Sequence, residues 1–141
     1  MRLPDLNVLL YAVNPSSPQH SRAKKWLEQA FASESGVALA WITLVGFIRL
    51  STKPGIFARP LALESALERV QDWLEQPNTQ IAHPTTQHLS ILGRLLLPQG
   101  AGGNLTTDGH LAALTIEHGA TLGSFDADFK LFPGLKLELL K

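Results

Sequence analysis

Three aspartates far apart in the chain, Asp5, Asp108 and Asp126, are the side chains best placed to do chemistry together. Asp5 closes a short apolar run. Asp108 falls in the opening turn of a helical pattern, and Asp126 follows a second apolar run in Ser124-Phe125-Asp126, with Asp128 just beyond. Each has an ordinary alternative. Asp5 can cap the next turn, Asp108 suits the positive end of a helix dipole, and Asp126 with Asp128 can form an Asx turn. Jointly they mean more, because carboxylates brought to one place repel unless a cation neutralises them. Hard oxygen ligands suit Mg²⁺ or Mn²⁺ rather than Zn²⁺. Ions held in this way activate water and steady the charge on a reacting phosphodiester, so the chemistry is phosphoryl transfer or hydrolysis.

The elements that must position these groups alternate. Residues 2–6 form a short buried strand, and Asn7 to Val13 a helical turn ending before Asn14-Pro15. A helix follows from about His20 to Ser33, with Ala23, Trp26, Leu27, Ala30 and Phe31 at helical spacing. Val37 to Ala40 is a strand, and a helix from Ile42 to about Thr52 is stopped by Lys53-Pro54-Gly55. Leu63 to Gln76 is a third amphipathic helix, Gln80 to His83 a strand, and Thr85 to Leu97 a helix. Thr106 or Thr107 caps a helix that runs to His118 and closes with Gly119. Ala120 to Ser124 and Leu135 to Leu139 are the last strands. This alternation implies one α/β domain over residues 1–141, a mainly parallel sheet between helices. In such sheets chemistry collects at the carboxyl ends of the strands, where all three aspartates fall.

Composition sets bounds. The chain has 141 residues, 45% hydrophobic and 17% charged, which predicts a solid core and no disorder. Twelve basic and twelve acidic residues cancel, excluding nucleic-acid binding through overall basicity while leaving local patches open. With no cysteine there are neither disulfides nor thiolate metal sites. The opening MRLPDLN is no signal peptide, and no apolar run approaches the ~20 residues of a membrane span, so a soluble cytoplasmic protein is expected.

Four stretches carry a resemblance in chain order: LPDLNVLLYAVN, WITLVGFIRLSTKPGIFARPL, GNLTTDGHLAALTIEHGATLGSFDADF and FPGLK. Together they resemble the PIN-domain ribonucleases, and more narrowly the VapC-type toxins of bacterial toxin–antitoxin pairs. The resemblance implies a PIN-like three-layer α/β/α fold, dependence on Mg²⁺ or Mn²⁺, and RNA cleavage leaving a 5′-phosphate and a 3′-hydroxyl. It also implies inhibition by a VapB-type antitoxin and a homodimer. The family's catalytic, metal-holding aspartates fall on Asp5, Asp108 and Asp126, with Asp128 a lesser candidate. Asn7, Thr107 and Ser124 are candidates to hydrogen-bond the acidic groups or a metal-bound water.

The pattern also breaks. PIN nucleases generally place a glutamate in the helix spanning Ile42 to Thr52, and here Gly46 stands at or beside that position. No acidic residue occurs from Ser35 to Leu63. Glu117 is no substitute: nine residues from Asp108, at ~100° each, put it on the opposite helix face, where it reads as a solvated surface charge. The expected consequence is one firmly held ion, with a second bound weakly or only with substrate. Arg49 and Lys53, within about 60° of Gly46 on a helix, form with Arg59 a basic stretch that could contact RNA phosphates or simply be solvated.

Other features carry less. The five histidines lack zinc spacing, His83 and His88 reading as loop and helix-start residues, and only His110 lies near the site. Trp26, Trp41 and Trp73 read as core or interface, and Gly100 to Gly103 as a connector without the lysine of a P-loop. Two other functions stay open: a phosphatase using Asp126 of the Asp126-Ala127-Asp128 motif as nucleophile, and a non-catalytic PIN-like module binding RNA or protein.

Overall fold

The computed structural model describes residues 1–100 and 102–141. Five strands, β1 (Arg2–Pro4), β2 (Val37–Leu39), β3 (Thr79–Ile81), β4 (Thr121–Ser124) and β5 (Leu137–Leu139), form one sheet in the order β3-β2-β1-β4-β5. Every pairing is parallel. Among the described residues six α-helices connect them: α1 (Leu6–Val13), α2 (His20–Ala32), α3 (Trp41–Thr52), α4 (Leu63–Leu74), α5 (His88–Leu96) and α6 (Leu105–Glu117). The three-layer α/β/α arrangement read from the alternation is present, and its sheet is wholly parallel.

Both faces of a parallel sheet must be covered, so side chains of opposite parity along a strand enter different cores. Val37 and Leu39 of β2 join Val8, Leu9, Trp26, Leu27, Phe47 and Trp73 under α1 to α4. Ala38 and Ala40 turn to the other face and join Leu3, Leu122, Leu95 and Leu111–Leu114 under α5 and α6. Phe47 and Trp73 meet edge to face at 4.9 Å, fixing α3 on α4. Each such fully buried side chain contributes roughly 1.5–3 kcal/mol. Trp26 packs against β4: a Cβ on Gly123 would stand 2.2 Å from its ring, so only glycine fits there. Its indole N–H donates to Glu138 Oε2 at 2.9 Å, and Arg2 Nε pairs with Glu138 Oε1 at 3.1 Å, tying β1 and β5 through α2.

The structure corrects the sequence reading at several points. Helix α5 begins at His88 rather than Thr85, because Thr85 turns its side chain to Glu117 and to the Gln87 amide. Helix α6 starts at Leu105 with no side-chain cap, so neither Thr106 nor Thr107 caps it. A 3-10 helix at Ala127–Leu131, capped by Asp126, was not expected. Trp41, read as core or interface, is 47% exposed, which removes the core alternative and not the interface one. The connector reading of Gly100 to Gly103 includes Ala101 and falls partly outside the described residues. Among the described residues no helix is long and apolar enough to cross a membrane.

Candidate active site

The chain runs outward from β1 through β2 to β3, then returns to place β4 on the other side of β1. The crevice above β1 and β4 is therefore a topological switch point, where α/β folds build their sites. Asp5 leaves the end of β1 with its amide still bonded to Gly123 O of β4, at 2.9 Å. Its Oδ1 accepts from the Leu6 amide at 2.7 Å, so Asp5 is the N-cap of α1 as well as a strand-end carboxylate.

Ser124, fully buried at the end of β4, joins the two strand ends. Its hydroxyl donates to Asp5 Oδ2 at 2.7 Å and accepts from the Asp126 amide at 3.0 Å. Asn7 adds a longer bond to Ser124 Oγ at 3.4 Å, and its Oδ1 accepts from the Phe125 amide at 3.3 Å. Asp126 Oδ1 takes the Asp128 amide at 2.9 Å, the Asx turn that starts the 3-10 helix. Asp108 arrives from the opposite layer, in the first turn of α6.

These carboxyl groups feel one another's charge. Burial, then the charges of Asp5, Asp126 and Asp128, pushes the Asp108 carboxyl up from 3.8 to about 6. Asp5 is also raised: burial outweighs the hydrogen bonds from Ser124 and Leu6 that pull it down, and Asp126 adds repulsion. Such a cluster is short of positive charge. Among the described residues no three acidic or histidine side chains are gathered closely enough to hold a metal ion in this arrangement. In donor chemistry the aspartates are all oxygen, the kind that suits Mg²⁺ or Mn²⁺.

The remaining candidates divide. Asn7 and Ser124 belong to the network, whereas Thr107 is exposed and makes no side-chain hydrogen bond among the described residues. Asp128 is exposed at the rim. Arg49, Lys53 and Arg59 are exposed and have no carboxylate partner among the described residues. Arg49 lies about one turn down α3 from Gly46 and Lys53 just past the end of that helix, leading away from the strand ends. Gly46 packs against Leu6, whose Cδ2 would lie 2.9 Å from a Cβ at that position.

Glu117 does face away from Asp108, but it is not a solvated charge, since its side chain is 1% exposed. Its Oε1 accepts from the amide and hydroxyl of Thr85 at 2.8 and 2.7 Å, and Oε2 meets His88 Nδ1 at 2.5 Å. The other nitrogen of His88 bonds His110 Nδ1 at 2.9 Å, so one imidazole spans two turns of α6 and clamps it to α5. Burial opposes the charged form of Glu117, but bonds from Thr85 and His88 prevail and hold its carboxyl below the usual range. The seven-residue spacing of His110 and Glu117, nearly two full turns, was the signal for a shared face.

The chain matches the PIN domain family across residues 2–135. It is 46% identical to Ribonuclease VapC37 of Mycobacterium tuberculosis over 136 residues, spanning 96% of this chain and 94% of that protein. The chain belongs to the PIN-domain family, among its VapC ribonucleases. Ribonuclease VapC33 of the same species is 40% identical over 96% of the PIN chain and 95% of its own. The crystal structure of VapBC2 from Rickettsia felis, bound to a DNA fragment from their promoter, superposes with a TM-score of 0.73 at 20% identity. That match covers 99% of the PIN domain described above and 98% of the other chain, and it establishes the fold alone.

Proposed function

We propose that this PIN domain is a Mg²⁺- or Mn²⁺-dependent endoribonuclease and the toxin of a toxin–antitoxin pair. The observation that carries this reading is the joining of Asp5 and Asp126 through Ser124, with Asp108 drawn into the same repulsive cluster. Asp5, Asp108 and Asp126 would hold the ion, with Asp128 at the rim. When bound, the ion lowers the pKa of a water and neutralises charge on the scissile phosphate. The protein contributes orientation. Ser124 fixes the Asp5 carboxylate, Asn7 pins the Phe125 turn that presents Asp126, and Asp108 closes the site from α6. Cleavage leaves a 5′-phosphate and a 3′-hydroxyl. Exposed Arg49, Lys53 and Arg59 are the proposed phosphate contacts, and replacing Arg49 and Lys53 by Ala should flatten the salt dependence of RNA binding.

A VapB-type antitoxin is the proposed partner in the cytoplasm. A groove lined by Ala12, Val13, Leu27, Phe31, Arg69 and Trp73 supports docking of a short segment. Exposed Trp41 and Val45 on α3, with Leu63 and Leu67 on the adjoining α4, support a homodimer.

Incubating RNA with the protein and Mg²⁺ or Mn²⁺, beside the Asp5→Asn variant, tests the assignment. Cleavage by the parent, abolished in the variant and by EDTA, is expected. No cleavage by either protein would favour the non-catalytic module that Gly46 brings to mind. Metal-dependent phosphate release from a small phosphoester, without RNA cleavage, would favour the phosphatase.

A further inference from the structure

We propose that the hollow between the end of α1, with the loop after it, and the loop after α3 is a subsite for one unpaired RNA base, selective for guanine and uracil over adenine and cytosine. The inference rests on the reading of the chain as a ribonuclease that acts at Asp5, Asp108 and Asp126. The hollow has a volume of about 440 Å³, lined by Tyr11, Asn14 and Gln19 from the first segment and by Ile56 and Phe57 from the second. Tyr11 follows Asp5 by six residues, about 9 Å along α1. Its ring meets Phe125 edge to face at 5.2 Å, and Phe125 immediately precedes Asp126. A base seated here therefore belongs to a nucleotide close to the cut.

The loop after α3 supplies apolar surface and charge. Phe57 is buried in the core and bridged to Pro54, which anchors the loop. Ile56 beside it is 44% exposed and belongs to neither core, so its side chain is free to lie against a base. Lys53 and Arg59 flank this stretch, exposed and without a carboxylate partner among the described residues, where they can hold the phosphates on either side of that base. The other segment supplies the selection. Asn14 is 8% exposed, and its Oδ1 already accepts from the Ser16 amide at 3.2 Å. Gln19 Oε1 accepts from the Ser17 hydroxyl at 2.8 Å, and that hydroxyl is oriented by accepting from the Gln19 amide at 3.2 Å. Both side-chain oxygens are thus occupied, while neither side-chain NH₂ group has a partner among the described residues. Ser51 Oγ is the one polar side-chain atom sealed away without a partner among those residues, so the Asn14 NH₂ group opens to the hollow. The hollow offers N–H donors. Guanine presents O6 and N7 to such donors and uracil presents O4, whereas adenine and cytosine bring an amino group on the same edge. An amino group there would leave the donors unpaired. Only a base splayed out of a single strand can enter.

Fluorescence anisotropy of 5′-labelled hexauridylate and hexacytidylate, in EDTA to prevent cleavage, tests the selection. The parent should bind the uridylate at least about fivefold more tightly. Asn14→Asp keeps the bond from Ser16 but exchanges the donor for an acceptor, and should bring that ratio to one or below. Gln19→Glu makes the same exchange and covers the case in which Asn14→Asp does not fold. The added charge weakens both RNAs, so the ratio is the readout. Lys53→Ala with Arg59→Ala should weaken both RNAs and leave the ratio as it was. Equal binding of the two RNAs by the parent, or an unchanged ratio in the folded Asp and Glu variants, would overturn the proposal. The ribonuclease reading fails separately. If the parent shows the preference yet cleaves no RNA with Mg²⁺ or Mn²⁺, the base subsite stands and that reading falls.

Discussion

Replacing Asp108 by Asn should abolish RNA cleavage and yet make the metal-free protein more stable. The Asp108 carboxyl titrates at about 6 when folded and near 3.8 otherwise, raised by burial and by Asp5, Asp126 and Asp128. A carboxyl whose folded pKa is raised binds more protons folded than unfolded, so it destabilises once ionised. The penalty is absent below about pH 3.8, grows through the interval, and is complete above about pH 6. The full difference corresponds to about 3 kcal/mol at ~1.4 kcal/mol per tenfold change. Asp108 is only partly buried, and solvent screening reduces this to about 1–1.5 kcal/mol. A chain of this length has an unfolding entropy of about 0.3 kcal/mol/K, so Tm should rise by about 3–5 °C. Calorimetry in EDTA at pH 7.5 and pH 4 reads the effect directly. A gain at pH 7.5 that disappears at pH 4 is expected. An Asn variant that melts at or below the parent at pH 7.5 would refute the idea that Asp108 sits in a repulsive cluster. Adding Mn²⁺ should raise the Tm of the parent and leave the variant nearly unmoved.

Other perturbations probe the support of the site. Ser124→Ala removes the hydroxyl joining Asp5 to the Asp126 amide and should lower cleavage about tenfold and stability by about 1–2 kcal/mol, read by initial rates and urea unfolding. Gly123→Ala would drive a Cβ into the Trp26 ring and should cost about 3 kcal/mol or more, visible as a shift in indole fluorescence and a fall in midpoint. His88→Ala leaves Glu117 buried without its imidazole partner and frees His110, and should destabilise by about 1–3 kcal/mol in thermal melts. Its effect on Mn²⁺ affinity should be small, because the clamp lies on the far side of α6 from Asp108.

How much of this could be read from the chain depends on the physics of each residue. Strand-end aspartates are legible because a carboxylate after an apolar run serves no core purpose, and Asp5 and the Asp126 amide are both bonded to Ser124 across β1 and β4. A mainly parallel sheet follows from alternation, every observed pairing is parallel, and observed helices begin within a few residues of their expected starts. Glu117 shows the boundary of such reasoning. Helical geometry correctly turned it away from Asp108, but only tertiary packing of α5 supplies Thr85 and His88 to bury it. Ser124 drew notice only as a possible partner; that one hydroxyl serves both strand ends is a fact of register. Gly46 read as a missing carboxylate, and the structure adds that Leu6 fills the space. Trp41 sat in an apolar run, and its exposure reflects the absence of a covering element over that end of α3.

The bond from Ser124 to Asp5 spans 119 positions of sequence, which sets when the enzyme can first act. At about 5–20 residues per second, a growing chain carries Asp5 for roughly 6–24 s before its partner on β4 has been synthesised. Throughout that interval β1 lacks the neighbour that completes the crevice, so a nascent chain on the ribosome holds isolated aspartates and no nuclease. A premature stop anywhere before Ser124 gives the same inert product. For a ribonuclease of this family, a separation of 119 positions between Asp5 and Ser124 leaves any copy not yet translated that far without the bond that joins the two strand ends.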